Sequence, residues 1–383
     1  MPLDGPLSEG ARAMGLKRTK MGRVGQTQEV VAGGFLIALV FRRCEGDTQH
    51  TSTLQRINPA HQLSTSTHYK IGHLALLTLF QILAQIPLSW MQSLGACAGL
   101  LVWLLSPSYR RQFNRNADLA QLSTRSRWLA LMNTGSMVAE LPWVWCRPLE
   151  QDILKHVDWV GEEHLHKAFE AGKGVIVLSP HLGCWEIGAQ ILAARFGPLR
   201  GPMVALYRPP RKKWLAPLVE HARAREHLHT VPTTATGVRE ILRTLKRGGM
   251  TALLPDQVPP LGQGVWVNFL GQPAYTMTLA MKLAHQTQAT VLMGWCERLP
   301  GARFRGHFYP MPATSNPKLT EEALDRSSRA EFDITQATQA MNQAIEEMIL
   351  ANASQYLWGY ARFKQPREVG VSSTPTHSPK EEH

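Results

Sequence analysis

The sequence has no Cys-x-x-Cys pair anywhere. Its five cysteines, Cys44, Cys97, Cys146, Cys184 and Cys296, are odd in number and scattered along the chain. That distribution argues against a zinc knuckle or a disulfide framework and suits a reducing compartment. Acidic residues are scarce as well, 29 Asp and Glu against 41 Lys and Arg, for a formal charge of +12. Such an excess calls for an acidic partner, which could be nucleic acid, an anionic membrane or an acidic protein. No zinc finger, basic zipper or RNA-recognition motif accompanies the charge, and the basic residues gather beside apolar segments, so nucleic acid is the disfavoured partner. No internal repeat is present.

Charge is missing altogether from two stretches. Residues 71–86 and 88–106, separated by Pro87, contain no Asp, Glu, Lys or Arg and are rich in Leu, Ala, Ile and Trp. Each is near the lower length limit for crossing a bilayer. One tilted transmembrane helix followed by an interfacial helix, a membrane hairpin, and a pair of buried core helices all fit the composition. Arg110, Arg111 and Arg115 follow at once, as cytoplasmic-side anchors do under the positive-inside rule. The only apolar run before these stretches, Val30 to Phe41, is too short to span.

What is present is enough for a large core: 383 residues, 44% of them hydrophobic, fill one large domain or two small ones. Brief apolar runs at Val175 to Ser179, Met203 to Tyr207, Thr251 to Leu254 and Val291 to Trp295 read as buried strands. Helical stretches lie between them, at Glu186 to Arg195, Trp214 to Arg225 and Gly237 to Arg247. This alternation predicts an α/β domain whose central sheet is mostly parallel and flanked by helices. The expected organisation is a poorly ordered extension at 1–70, a membrane-anchoring helical segment at 71–106, a catalytic domain at 107–367 and a disordered tail at 368–383.

The most informative segment is SPHLGCWEIG, residues 179–188. A hydrophobic strand runs into a turn holding His181, Gly183 permits a tight bend, and Glu186 enters the first turn of a helix. In open α/β sheets, ligands collect beyond the carboxyl ends of the strands, which is where this pattern presents the imidazole. Acyl transfer to a hydroxyl needs a base working near neutral pH, and a carboxylate on the other ring nitrogen fixes the tautomer and stabilises the imidazolium. The attacking oxygen then belongs to the substrate. Cys184 is close enough that a covalent acyl-cysteine route is a further possibility. The His-x4-acid spacing alone carries little weight, since it recurs at His221 to Glu226 and at His377 to Glu382. Neither of those follows a strand and a turn. The bland reading of His181 is a hydrogen-bonded structural histidine.

Several further motifs occur in order: LYRPP at 206–210, PDQ at 255–257, NFLGQPA at 268–274 and YLWGYARFK at 356–364. Together with SPHLGCWEIG, they make residues 71–367 resemble the late lipid A acyltransferases, lauroyl or myristoyl transferases of the lysophospholipid acyltransferase superfamily. The resemblance implies His181 and Glu186 as the catalytic pair, with Arg208 supporting the thioester oxyanion or a substrate phosphate. It also implies a glycerolipid-acyltransferase-like fold without metal or organic cofactor. The acyl donor would be acyl carrier protein, the acceptor a lipid A precursor or another anionic lipid, and the location the inner membrane with the domain on the cytoplasmic side.

Asp256 and Gln257 follow a strand and would line the same cleft as substrate-positioning groups, although a turn-forming Asp fits nearly as well. Arg239 and Arg243 share a helix face that could hold lipid phosphates or acyl carrier protein; a solvated face is the alternative. Arg362 and Lys364 pose the same question, and Arg208 could be an ordinary surface cation. At 361 the chain has Ala where the family commonly shows a second arginine, and the recognised resemblance does not extend over residues 1–70. Rival functions are acyl transfer to a lysophospholipid or aminolipid, thioester hydrolysis, and a catalytically silent membrane scaffold.

Overall fold

A computed structural model describes residues 76–148, 152–207, 219, 225–312 and 332–367. The expected extension at 1–70, the tail at 368–383, Arg208 and most of the helix expected at Trp214 to Arg225 lie outside the described residues.

Strand β2 (Val175–Leu178) is buried at every position. A continuous apolar run of this kind belongs at the middle of a parallel sheet, covered on both faces. It pairs in parallel with β5 (Met250–Leu253) and with β8 (Thr290–Leu299). Seven strands are ordered β1-β9-β8-β2-β5-β3-β4, where β1 is Val157–Val160, β3 Met203–Tyr207, β4 Leu228–Pro232 and β9 Arg303–Pro310. The run from β8 to β4 is parallel throughout, β9 is antiparallel to β8, and β1 is parallel to β9. The four apolar runs picked out in the sequence are β2, β3, β5 and β8, and the sheet is mostly parallel at its centre.

One face of the sheet is covered by α5 (Glu162–Glu170) and α6 (Trp185–Arg200), whose Leu165, Phe169, Leu192 and Phe196 pack on Val175, Val177 and Leu292. The other face meets α7 (Ala235–Lys246), α8 (Leu279–Thr287) and α9 (Ile334–Ala351). A two-stranded hairpin, β6 (Gly264–Phe269) and β7 (Gln272–Met277), stands apart from the main sheet and packs on α9. Its two-residue turn puts Leu270 and Gly271 at φ +49° and +70°, as the tightest hairpins require.

The N-terminal helices form an outer layer. Residues 76–83 are helical, and Pro87 separates them from α1 (Leu88–Leu105), after which come α2 (Pro107–Leu119), α3 (Thr124–Ala139) and the short α4 (Leu141–Cys146). Helix α1 runs antiparallel along α3. A Cβ on Gly95 would meet the Gly135 carbonyl oxygen at 2.5 Å, and one on Gly99 would meet the Leu131 oxygen at 2.2 Å. Further along, Trp103 packs edge-on against Trp128. Small residues let the two backbones approach this closely.

Candidate active site

The turn after β2 is held from two sides. On one, Cys184 N–H donates to the Cys296 carbonyl of β8 at 2.8 Å. On the other, Gly183 N–H donates to the Gln355 carbonyl at 3.0 Å, and Leu357 N–H donates back to the His181 carbonyl at 3.2 Å. Gly183 sits at φ +62°, and a Cβ there would lie 1.9 Å from the Cys296 oxygen, so no other residue fits the bend.

His181 and Asp256 are brought together by strand register. Leu178 ends β2 opposite Leu253, which ends β5. Each functional residue then follows three positions later, at 181 and 256, on neighbouring parallel strands. Asp256 Oδ1 lies 2.7 Å from His181 Nδ1. Its other oxygen accepts the His181 backbone N–H at 2.9 Å and the Tyr356 hydroxyl at 3.2 Å. Asp256 is buried, 2% exposed. Burial alone would push its carboxyl up. The facing His181 ring, the hydrogen bonds from that ring and backbone, and the nearby Arg362 guanidinium outweigh this and hold it below the usual carboxylate value. Burial and the adjacent carboxylate drive the Tyr356 phenol far up, so it stays protonated and donates.

With Nδ1–H donated to Asp256, the lone pair on Nε2 accepts from the Gln257 side-chain amide at 3.0 Å. This tautomer is assigned from the network of partners. Trp185 meets the imidazole edge-on, with centroids 4.8 Å apart. The ring is thus braced on one nitrogen and presents a basic lone pair on the other.

Glu186 was expected to brace the ring; in the structure the carboxylate on Nδ1 is that of Asp256. Glu186 stands in the first turn of α6 and accepts the Trp145 indole N–H at 3.4 Å, with Phe80 stacked on Trp145. The physical reason is that four intervening residues carry Glu186 past the turn and onto the helix, whereas sheet register delivers Asp256 alongside the imidazole.

The remaining expected site residues are spread more widely. Gln257 is at the imidazole. Arg362 is buried, 2% exposed, and donates to the Tyr275 carbonyl at 2.8 Å and to the Thr276 hydroxyl, over the ring of Phe269. It thereby ties the β6–β7 hairpin to the Asp256 side of the site. The Lys364 ammonium lies 4.8 Å from the centre of the Tyr360 ring, whose hydroxyl accepts Val258 N–H. Arg239 and Arg243 are exposed on α7; Arg239 donates to Thr236 and Arg243 pairs with Glu240 at 3.0 Å. Helix α7 connects β4 to β5, strands that run the same way in the sheet, so it starts at their carboxyl ends and Arg239 precedes Arg243 along it.

A buried ion pair lies behind the turn that was not singled out in the sequence. Glu140 and Arg298 meet in a two-point contact, with oxygen–nitrogen distances of 2.5 and 2.9 Å, and Gln92 of α1 donates to the same carboxylate at 3.1 Å. Burial would lower the Arg298 pKa, but the facing Glu140 carboxylate raises it on balance. The Glu140 carboxylate also acts on the Cys184 thiol, whose pKa burial and then that charge push up, and the Gln355 side chain closes on the Arg298 backbone at both its N–H and its carbonyl. The pair therefore grips the His181 turn from behind. Tyr356, which was also missed, lies inside the YLWGYARFK motif. Nothing in the local pattern marks Glu140 or Arg298.

Residues 61–365 match the family model described as "Bacterial lipid A biosynthesis acyltransferase". The chain is similar to the lipid A biosynthesis acyltransferase of Haemophilus influenzae, with 24% identity over 212 residues, or 55% of this chain and 59% of that protein. It is also similar to two proteins of Escherichia coli K12. The lipid A biosynthesis palmitoleoyltransferase is 26% identical over 253 residues, 65% of this chain and 72% of the relative. The lipid A biosynthesis lauroyltransferase is 23% identical over 303 residues, 76% of this chain and 90% of the relative. The match thus spans less than two thirds of the Haemophilus protein and most of the lauroyltransferase.

Proposed function

Since the chain belongs to the bacterial lipid A biosynthesis acyltransferase family, we propose that it transfers a fatty acyl group from acyl carrier protein to a hydroxyl of a lipid A precursor, with His181 as general base. The observation that carries this reading is the His181 ring at the carboxyl end of β2, with Nδ1 2.7 Å from a buried carboxylate.

The acceptor hydroxyl takes the place of the Gln257 amide at Nε2. As its oxygen attacks the thioester carbonyl, its proton passes to Nε2 and Asp256 stabilises the imidazolium that forms. The tetrahedral intermediate carries a negative oxygen, for which Arg208 is the proposed stabilising cation. When the intermediate collapses, the carbon–sulfur bond breaks, the ester remains, and the departing thiolate of the carrier recovers the proton from His181. Arg239 and Arg243 are proposed contacts for the acidic carrier or for lipid phosphates. The bulky lipid acceptor places the enzyme at the inner membrane, with the site on the cytoplasmic side.

The test is an acyl-transfer assay with acyl carrier proteins bearing chains of different length and a purified lipid A precursor. Wild-type protein is expected to acylate the precursor, and His181→Ala to lose transfer while remaining folded and membrane-bound. Unchanged activity in His181→Ala would eliminate the mechanism. Acylation of a lysophospholipid in place of the precursor would change the acceptor, and release of free fatty acid without any acceptor would make the protein a thioesterase.

A further inference from the structure

Helix α1 is the one helix among the described residues long and apolar enough to cross a bilayer by length and composition. Its packing is that of a helix lying along the protein. The stripe Leu88, Met91, Gln92 and Gly95 is buried. Contacts with α3 and its end continue from Gln92, which bonds Glu140 and accepts from Ser136, through Gly95 against Gly135 and Gly99 against Leu131, to Trp103 against Trp128. At 1.5 Å per residue, the docked stretch from 92 to 103 is about 17 Å long. A spanning α1 would draw α3 into the hydrocarbon with it. Asn133 and Ser136 would enter the membrane, and the Glu140–Arg298 pair would be brought to its edge.

The opposite stripe of α1 is bare. Trp90, Leu94, Leu101 and Leu105 are 68%, 61%, 53% and 69% exposed. Cys97 lies exposed within the same stripe. Beyond its carboxyl end, Arg111 and Arg115, one turn apart on α2, line an open cavity with Asn114 and Asp118, whose charge is met by Arg127. An apolar stripe with a cationic margin complements one partner in particular, an anionic lipid surface.

We propose that α1 lies in the plane of the membrane surface, its bare stripe sunk among the acyl chains and Arg111 and Arg115 at the lipid phosphates. The choice of a bilayer as the partner rests on the lipid-acyltransferase reading above; the in-plane orientation rests on the packing against α3. In this pose the far side of α1 carries the Glu140–Arg298 pair that grips the turn of His181, so the site sits at a fixed height over the headgroups.

The test is a depth measurement on the full chain in phosphatidylethanolamine and phosphatidylglycerol vesicles. Nitroxide labels are placed at native Cys97 and at Trp90→Cys, Leu94→Cys, Leu101→Cys and Leu105→Cys in turn, with Cys44 and Cys146 replaced by serine. Cys184 and Cys296 are buried at 2% and 1% and escape the label. In-plane seating predicts one shared depth at all five positions, roughly 5–10 Å below the interface. A depth that peaks near Cys97 and falls toward both ends would mean a spanning helix and overturn the proposal. So would access of every label to a water-soluble quencher, or access of none to either oxygen or that quencher, as covering by residues 1–75 would give. Transfer activity on the same vesicles is read separately. Shared depth without lipid A acylation would remove the function and leave the seating, and acylation with a spanning profile would do the reverse.

Discussion

Asp256 holds His181 at two points at once, through the ring Nδ1 at 2.7 Å and through the backbone N–H at 2.9 Å, one carboxylate oxygen for each. Such a contact fixes the imidazole's position, its tautomer and the path of the chain that carries it. The two residues are 75 apart in sequence and meet because β2 and β5 are neighbours in a parallel sheet.

Exchanging this carboxylate for an amide keeps the shape and reverses the tautomer preference. Asp256→Asn is expected to lower kcat by roughly 10^3 to 10^4, the scale on which an orienting aspartate acts in a hydrolytic triad. Glu186→Gln, in the first turn of α6, is expected to lower it less. Steady-state rates of the two variants with one acyl donor decide between the carboxylates; a greater loss in Glu186→Gln would assign the brace to the residue that the family resemblance names.

Acid stability follows from the same contact. The Asp256 carboxyl titrates below its ordinary value when folded, so the unfolded chain takes up the proton first as pH falls. Its contribution is present in full above the unfolded pKa, near 4, and is lost as pH drops through the folded value. Urea midpoints between about pH 6 and pH 3 are expected to fall more gently in Asp256→Asn than in wild type. Equal slopes would mean that the carboxylate is not held below its ordinary value.

The Glu140–Arg298 pair is expected to behave as a buried pair does when one partner is removed. Arg298→Met leaves a fully buried carboxylate uncompensated and is expected to reduce unfolding free energy in detergent by about 3–5 kcal/mol. The double change Glu140→Leu with Arg298→Leu is expected to cost less than the sum of the single changes. Additive losses in the double-mutant cycle would show that the two groups do not interact.

The covalent acyl-cysteine route makes a different demand. Cys184 is 2% exposed, and burial, followed by the Glu140 carboxylate, drives its thiol well above the ordinary value. It is therefore a thiol, not a thiolate, at neutral pH. Cys184→Ser is expected to keep kcat within about tenfold, since serine keeps a small side chain with a polar hydrogen and loses only buried sulfur contacts. Trapping of an acylated Cys184 by mass spectrometry would contradict this.

The contrast between Asp256 and Glu186 shows how far the sequence could be read. Strands β2, β3, β5 and β8 were legible because interior parallel strands are apolar on both faces, and the turn at His181 was legible because Gly183 marks it. Strands β1, β4 and β9 were not singled out. In β9, Arg303, Arg305 and His307 alternate with buried Phe304, Gly306 and Phe308, a half-exposed pattern that resembles surface chain. The β6–β7 hairpin was noticed only as the NFLGQPA motif, whose Leu270 and Gly271 make the turn. Local spacing singled out His181 and the acid nearest to it along the chain. Pairing of β2 with β5 is a non-local event, and no window of sequence around SPHLGCWEIG contains Asp256. For the same reason Glu140 and Arg298, 158 residues apart, were invisible as a pair.

The closure of the His181 turn by Gln355, Tyr356 and Leu357 orders events during synthesis. A growing chain presents His181 before Asp256 and the 355–357 segment that closes its turn have been made. A chain clipped before Gln355 loses both backbone bonds that close the turn, Gly183 N–H to the Gln355 carbonyl and Leu357 N–H to the His181 carbonyl. The turn at His181 therefore closes only once residues 355–357 have joined the fold.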